Sequence, residues 1–201
     1  CILPMNDHTK ISWTERSANP VTGCQHAGTP ECDKCYARLM AHRLQAMGNP
    51  RYTNGFNVTL HPEVLDELLA TDPSKPFLCF MPSMGDLFID EVPEYFIDQT
   101  MDVVERTPHI TYQILTKRSA RMASYFSSRR CPANAWLGVT CGHKDSLFRV
   151  DHLRGIAAPI RFISAEPLLS DLANEGMDLN GIDWIIVGGE SGPSARQMEV
   201  S

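Results

Sequence analysis

Apolar and polar positions along the chain follow two alternating rhythms. Ile11-Ser12-Trp13-Thr14 and Phe56-Asn57-Val58-Thr59-Leu60 alternate with period 2, the pattern of a strand. Phe77-Leu78-Cys79-Phe80-Met81 is a continuous apolar run, as expected of a strand covered on both faces. Tyr112–Thr116, Ala135–Thr140, Arg161–Ala165 and Asp183–Val187 complete the predicted strands. Between them the rhythm is helical. Leu39, Met40, Leu44 and Met47 share one face of a helix predicted over Tyr36–Met47, stopped by Gly48 and Asn49-Pro50. Pro62 suits the first position of a helix that buries Val64, Leu65, Leu68 and Leu69. A third helix begins near Pro93 and turns Phe96, Ile97, Met101 and Val104 inward. Two more are expected around Ser119–Phe126 and around Leu147, Val150 and Leu153. Residues 1–10 read as a loose lead-in.

Seven strands alternating with helices at this spacing predict parallel βα units. The fold class expected is α/β, a TIM-type (β/α) barrel of about seven parallel units in one domain over residues 1–201. A full barrel has eight units and about 250 residues, so the barrel is expected to be partial or truncated, short of its last strand.

Composition narrows the picture. With 43% hydrophobic and 21% charged residues the chain suits a globular protein, and disorder is not expected to dominate. No apolar run approaches the roughly 20 residues of a membrane span, and the start lacks a basic-then-apolar signal layout. A cytoplasmic location without a membrane partner is expected. Seven cysteines, an odd number, point to reduced thiols rather than a disulfide framework. The net charge of −6 argues against a non-specific nucleic-acid coat. The local clusters Arg38/His42/Arg43, Lys117/Arg118/Arg121 and Arg129/Arg130 each read first as a solvated helix face, although two of them lining one groove would hold a polyanion.

The chemistry gathers in Gly23–Tyr36, where Cys24, Cys32 and Cys35 fall within twelve residues. Thiolates hold iron–sulfur clusters and structural zinc alike, and spacing alone leaves both open, with His26 or Asp33 as a fourth zinc ligand. A structural zinc site takes four protein ligands; three thiols on a cubane leave one iron free. In a parallel barrel the reactive groups sit at the C-terminal ends of the strands. There this chain carries Ser83 and Asp86, Thr116-Lys117-Arg118, Thr140, Ser164 with Glu166, and Gly188-Gly189-Glu190, with the cysteine loop at the same rim. Cys79 reads as core, and Cys1, Cys131 and Cys141 have no useful partner spacing, with Cys141 read as filler. His61, ahead of Pro62, reads as a capping or surface residue. Trp13, Trp136 and Trp184 read as packing, with base stacking a second reading for Trp13.

Six motifs in order then carry a resemblance: Lys10-Ile11-Ser12-Trp13-Thr14-Glu15, Asn19-Pro20-Val21-Thr22-Gly23-Cys24, Cys32-Asp33-Lys34-Cys35-Tyr36-Ala37, Leu115-Thr116-Lys117-Arg118, Ser164-Ala165-Glu166-Pro167-Leu168 and Val187-Gly188-Gly189-Glu190-Ser191-Gly192. From about residue 10 to 198 the chain resembles a radical-SAM-like family common in phages and prophages, within the radical S-adenosylmethionine (SAM) superfamily. The resemblance implies that Cys24, Cys32 and Cys35 bind a [4Fe-4S] cluster whose fourth iron chelates SAM. One electron then cleaves SAM to a 5′-deoxyadenosyl radical, which takes hydrogen from the substrate. It further implies SAM contacts from among Tyr36, Ser83, Thr116, Thr140, Ser164, Glu166, Gly188, Gly189 and Glu190, and reaction or substrate roles for Lys117, Arg118 and Glu166. The implied partners are a nucleic-acid or nucleotide-linked substrate, such as a modified thymidine or other base in phage DNA, with isomerisation, lyase and repair chemistry all left open, and an electron donor such as a flavodoxin or ferredoxin. A phage-encoded chain would act in the host cytoplasm. Three features depart from the superfamily pattern. Cys24-x7-Cys32 replaces the usual x3 gap, Lys34 stands where an aromatic residue is usual, and Gly188-Gly189-Glu190 comes late in the chain. The alternative is a non-catalytic zinc-stapled module that binds nucleic acid or a protein partner.

Overall fold

The computed structural model describes residues 5–6, 9, 11–192 and 194–198. In chain order the strands are β1 (Met5–Asn6), β2 (Arg16–Ala18), β3 (Val21–Thr22), β4 (Thr59–Leu60), β5 (Phe77–Met81), β6 (Ile110–Thr116), β7 (Ala135–Thr140), β8 (Ile160–Ala165) and β9 (Trp184–Val187). The helices are α1 (Tyr36–Ala46), α2 (Pro62–Leu69), α3 (Glu94–Arg106), α4 (Ser119–Phe126) and α5 (Phe148–Arg154). The main sheet runs β1-β2-β5-β6-β7-β8-β9. Six of its strands, β2 and β5 to β9, pair in parallel, and β1 lies antiparallel on the edge. The architecture is the partial TIM-like (β/α) fold expected, and among the described residues the sheet does not close on itself.

Alternation along the strands sorts the two faces. Cys79 and Met81, Tyr112 and Ile114, and Leu137 and Val139 point to the helices, where they meet Phe96, Ile97 and Val104 of α3, Met122 of α4 and Leu153 of α5. The inner face is aromatic. Trp13 packs 4.7 Å from Phe80 and 6.1 Å from Trp184, and Trp184 touches Phe162 and Trp136. Gly138 makes room for this plug, since a Cβ there would lie 2.3 Å from the Phe162 ring. Two residues further along the same strands, on the same inner face, stand Thr140 and Ser164, paired across β7 and β8. Period 2 thus stacks a polar rim on an aromatic floor.

Two predicted strands differ. Ile11–Thr14 is a turn closed by a 3.4 Å bond from the Thr14 amide to the Ile11 carbonyl, and the parallel strand begins later, at Arg16. The apolar member of that turn, Trp13, fills the inner face, so its alternation reflects packing rather than pairing. Phe56–Leu60 shortens to β4, which pairs antiparallel with β3 in a separate two-stranded sheet. The parallel units therefore number six rather than seven. In the stretch read as a lead-in, Met5–Asn6 forms β1.

Helix α1 also differs. Three of its four apolar positions face outward, with Leu39 45%, Met40 43% and the C-cap residue Met47 78% exposed, while Leu44 packs inward beside the buried Ala37 and Ala41. Those two small residues seat the helix on Tyr52 and Met84 rather than on the sheet.

Candidate active site

The cysteine loop leaves β3 through Gly23, whose φ of +84° is a left-handed conformation open to glycine. A Cβ there would lie 2.2 Å from the Asn57 carbonyl oxygen, and Gly23 bridges to Gly85, the glycine of the loop after β5. The Gly23 amide donates to the Met84 carbonyl at 2.9 Å, and the Cys24 amide to the Phe56 carbonyl at 3.2 Å. Backbone packing therefore fixes Cys24. Cys32 ends a short 3-10 helix, Pro30–Cys32, and Cys35 is the N-cap of α1. No disulfide joins any of the described cysteines.

The second half of the loop is held by buried charge. Glu31 Oε1 accepts from the Gly142 amide at 2.9 Å, the His143 amide at 3.2 Å and the Ser146 hydroxyl. Arg149 Nη1 lies 3.8 Å from that oxygen and donates to the Thr140 carbonyl at 2.8 Å, while Nη2 donates to Thr29 Oγ1 at 2.7 Å. Burial pushes the Glu31 carboxyl up, but hydrogen bonds from Ser146, Thr29 and Gly142 outweigh it and leave its pKa below the ordinary range. Burial lowers Arg149, with Glu31 opposing.

Around the rim, Asp86 is buried and ties two loops together. Its Oδ1 accepts from Thr116 Oγ1 at 2.6 Å and the Phe88 amide at 3.0 Å, and its Oδ2 from the Lys117 amide at 3.0 Å. Asn19 Oδ1 accepts from the Met84 amide at 2.8 Å, and the Tyr36 hydroxyl donates to the Ser83 carbonyl at 2.6 Å. The Glu190 carboxylate is engaged by Arg196, with Lys34 Nζ 3.9 Å away, and the Arg196 bonds hold its pKa down. The Cys24 thiol is pushed up to about 12 by burial and by Asp86, against the pull of Arg118 and Lys117. A metal bound there would displace that proton.

These groups face one cavity of about 1060 Å³. Cys24, Cys32, Cys35, Tyr36, Ser83, Thr116, Lys117, Thr140, Ser164, Glu166, Gly189 and Glu190 all line it, with Trp13 and Phe80 below. Arg118 and Gly188 do not. Arg118 donates to the Gln25 carbonyl at 3.0 Å, and Gly188 packs behind Glu166, where a Cβ would lie 2.8 Å from Oε1. Sequence reasoning missed Asn19, Glu31 and Arg149. Asn19-Pro20 reads as a turn, and nothing in the local pattern shows that Glu31 meets a residue 118 positions later. Trp13 packs as expected, Cys79 and Cys141 are buried, and Cys1 lies outside the described residues. His61 is the N-cap residue of α2, as expected, but its side chain is buried rather than on the surface, bonded to Thr22 Oγ1 at 2.8 Å and Glu63 Oε1 at 3.1 Å.

The cavity suits a cluster with its ligand. Its thiols are unpaired with one another, and its volume is just above the ~300–1,000 Å³ of small-molecule sites. Among the described residues no three His, Cys, Asp or Glu side chains are gathered closely enough to hold a metal ion, which weighs on zinc and on a cluster alike. The two side chains considered as a fourth zinc ligand, His26 and Asp33, bond to each other at 3.0 Å at the exposed edge of the loop.

Fold and site together define a partial parallel (β/α) barrel with a thiol-bearing loop over the C-terminal ends of its strands. Residues 8–201 match the family described as Protein of unknown function (DUF5131), and the chain belongs to that family. No curated protein matches the sequence. The fold is shared with solved structures of spore photoproduct lyase. One, a double mutant with bound AdoMet and dinucleoside spore photoproduct, is 13% identical with a TM-score of 0.61, over 90% of this chain and 58% of that one. A second, complexed with dinucleoside spore photoproduct, is 13% identical with a TM-score of 0.57, over 87% and 56%. The chain thus spans less than two thirds of either protein.

Proposed function

We propose that this protein is a radical SAM enzyme acting on a nucleic-acid or nucleotide-linked substrate, a modified thymidine or similar base being the substrate favoured. The observation that carries the reading is the presence of three unpaired cysteines lining one cavity at the C-terminal ends of parallel strands. It is supported by the fold shared with an enzyme solved with AdoMet bound. Cys24, Cys32 and Cys35 would hold the [4Fe-4S] cluster through three irons. Bound there with SAM, that group would supply one-electron reduction and the hydrogen-abstracting radical chemistry that follows from it; the protein's part is to hold it dry and in line.

This chain's own residues divide that work. Thr140 and Ser164, on the inner face above the aromatic plug, offer hydroxyls to the SAM ribose or amine, with Glu166 beside them. Trp13, Phe80 and Phe162 close the floor and exclude water. Asp86 and Thr116 fix the backbone of Lys117, whose side chain on the cavity wall suits a substrate phosphate. Arg118, outside the cavity wall, would reach such a phosphate only at the mouth. Tyr36, anchored to Ser83, stands for adenine packing in place of the usual aromatic at Lys34.

Anaerobic reconstitution with iron and sulfide tests the reading. A brown protein that releases 5′-deoxyadenosine from SAM on reduction supports it. A colourless protein carrying one zinc and leaving SAM intact refutes it.

A further inference from the structure

The buried charges behind the cysteine loop have no place in the reaction, yet nothing else in the core resembles them. Arg149 is the largest fully buried side chain of the described residues, and Glu31 faces it with its side chain equally shut from water. Burying two ions carries a large desolvation cost, which only close pairing and hydrogen bonding offset. Here most of the offsetting bonds cross one boundary. Thr29 and Glu31 lie in the long gap between Cys24 and Cys32. Their partners are the Gly142 and His143 amides just after β7, Ser146, and Arg149 in α5, which itself donates to the Thr140 carbonyl at the end of β7. The amide bonds of Cys32 and Asp33 themselves stay local, to Thr29 and Pro30.

We infer that Glu31 and Arg149 are positioning residues: they clamp the insert of the cysteine loop to the end of β7 and thereby set where Cys32 and Cys35 face the cavity. The inference rests on the proposed cluster ligation for its purpose, but the clamp is a property of the chain itself. Cys24 is located by backbone packing at Gly23 and Gly85, on the β5 side of the cavity. Cys32 and Cys35 have no such glycine bridge. A long gap between the first two ligands needs anchors besides the start of α1, which carries Cys35, and the Arg196 bond to the Pro30 carbonyl; Thr29 and Glu31, both inside that gap, supply the one on the β7 side. The anchor also fixes register with the rim, because the residue whose carbonyl Arg149 grips is Thr140, which lines the cavity.

Thiol alkylation of the reduced, metal-free chain, mapped by mass spectrometry, tests the clamp without any cluster. Cys32 is 7% exposed and Cys79 is fully buried in the core, so Cys79 reports the integrity of the fold. In Arg149→Met and in Glu31→Gln, Cys32 should react about tenfold faster or more, as expected of local opening, while Cys24 keeps its rate and Cys79 stays protected. Iron uptake on reconstitution should fall in the same variants. The double variant Glu31→Gln/Arg149→Met, which leaves no unpaired buried charge, should recover thermal stability without recovering Cys32 protection. Cys32 as protected in Arg149→Met as in the native chain would overturn the inference. So would Cys79 opening in step with Cys32, which would make the pair a support of the whole fold. A native chain that takes up no iron refutes the cofactor reading instead, and the alkylation rates still decide the clamp.

Discussion

The three cysteines share a cavity but not a means of support. Cys24 is held by glycine-to-backbone packing, Cys32 by a 3-10 turn clamped through Glu31, and Cys35 by the start of α1. If each carries one iron, loss of any one should be decisive for the cofactor and mild for the fold. Cys32→Ala is expected to abolish iron uptake and SAM cleavage together, with a melting temperature close to that of the native chain; retained cleavage in an activity assay would refute the ligand role. A harsher local effect is expected at Gly23. Alanine there must adopt a left-handed backbone, at roughly 1–3 kcal/mol, and place a Cβ 2.2 Å from the Asn57 carbonyl oxygen. Gly23→Ala should therefore lower the urea midpoint clearly and disturb Cys24. The thiols and the polar strand ends were legible in the sequence because each residue type announces its chemistry locally. Glu31, Arg149 and Asn19 were not, because their roles come from partners far along the chain, and a lone buried arginine looks like any helix-face arginine until the partner is known.

At the scale of elements, the small β3–β4 sheet carries the cysteine loop, and a buried histidine braces it. His61 bonds Thr22 of β3 through Nε2 and Glu63 through Nδ1. Burial lowers its pKa below 6.5, with Arg51 adding to the effect and Glu63 opposing it. A group whose folded value is depressed contributes stability in full above its unfolded value and loses it as pH falls through the folded one. Unfolding midpoints should accordingly drop as the pH falls below 6.5, and His61→Gln should flatten that limb of the profile. The aromatic plug invites a larger change. Phe162 is fully buried against Trp13 and Trp184, and Phe162→Ala should cost about 3–5 kcal/mol, read by denaturant titration. Near-continuous apolar runs such as Phe77–Met81 and Ala135–Thr140 announced their strands correctly. Ile11–Thr14 and Phe56–Leu60 misled because alternation over a few residues also arises where one aromatic tucks under a sheet or a two-residue ladder forms. The exposed stripe of α1 misled for a related reason: periodicity shows that a face is apolar, and Ala37 and Ala41 were too small to register as the buried one.

Across the whole molecule, six parallel strands bring groups from residue 24 to residue 190 to one end of the sheet. That gathering was readable from topology alone, since the C-terminal ends of parallel strands share a rim wherever the connecting helices lie. How far the sheet curls, and that Gly188 and Arg118 stand just outside the cavity, needed coordinates. The arrangement separates a rigid apolar floor from a rim whose loops carry the chemistry, which suits a reaction that must exclude water below and admit a large substrate above. The most direct test of that account is SAM cleavage by the anaerobically reconstituted protein, with 5′-deoxyadenosine quantified alongside iron and sulfide per chain. The account predicts one cluster per chain and 5′-deoxyadenosine formed only on reduction, both lost in Cys24→Ala, Cys32→Ala and Cys35→Ala. Intact SAM over a fully loaded cluster, or a cluster that survives loss of all three thiols, would contradict it.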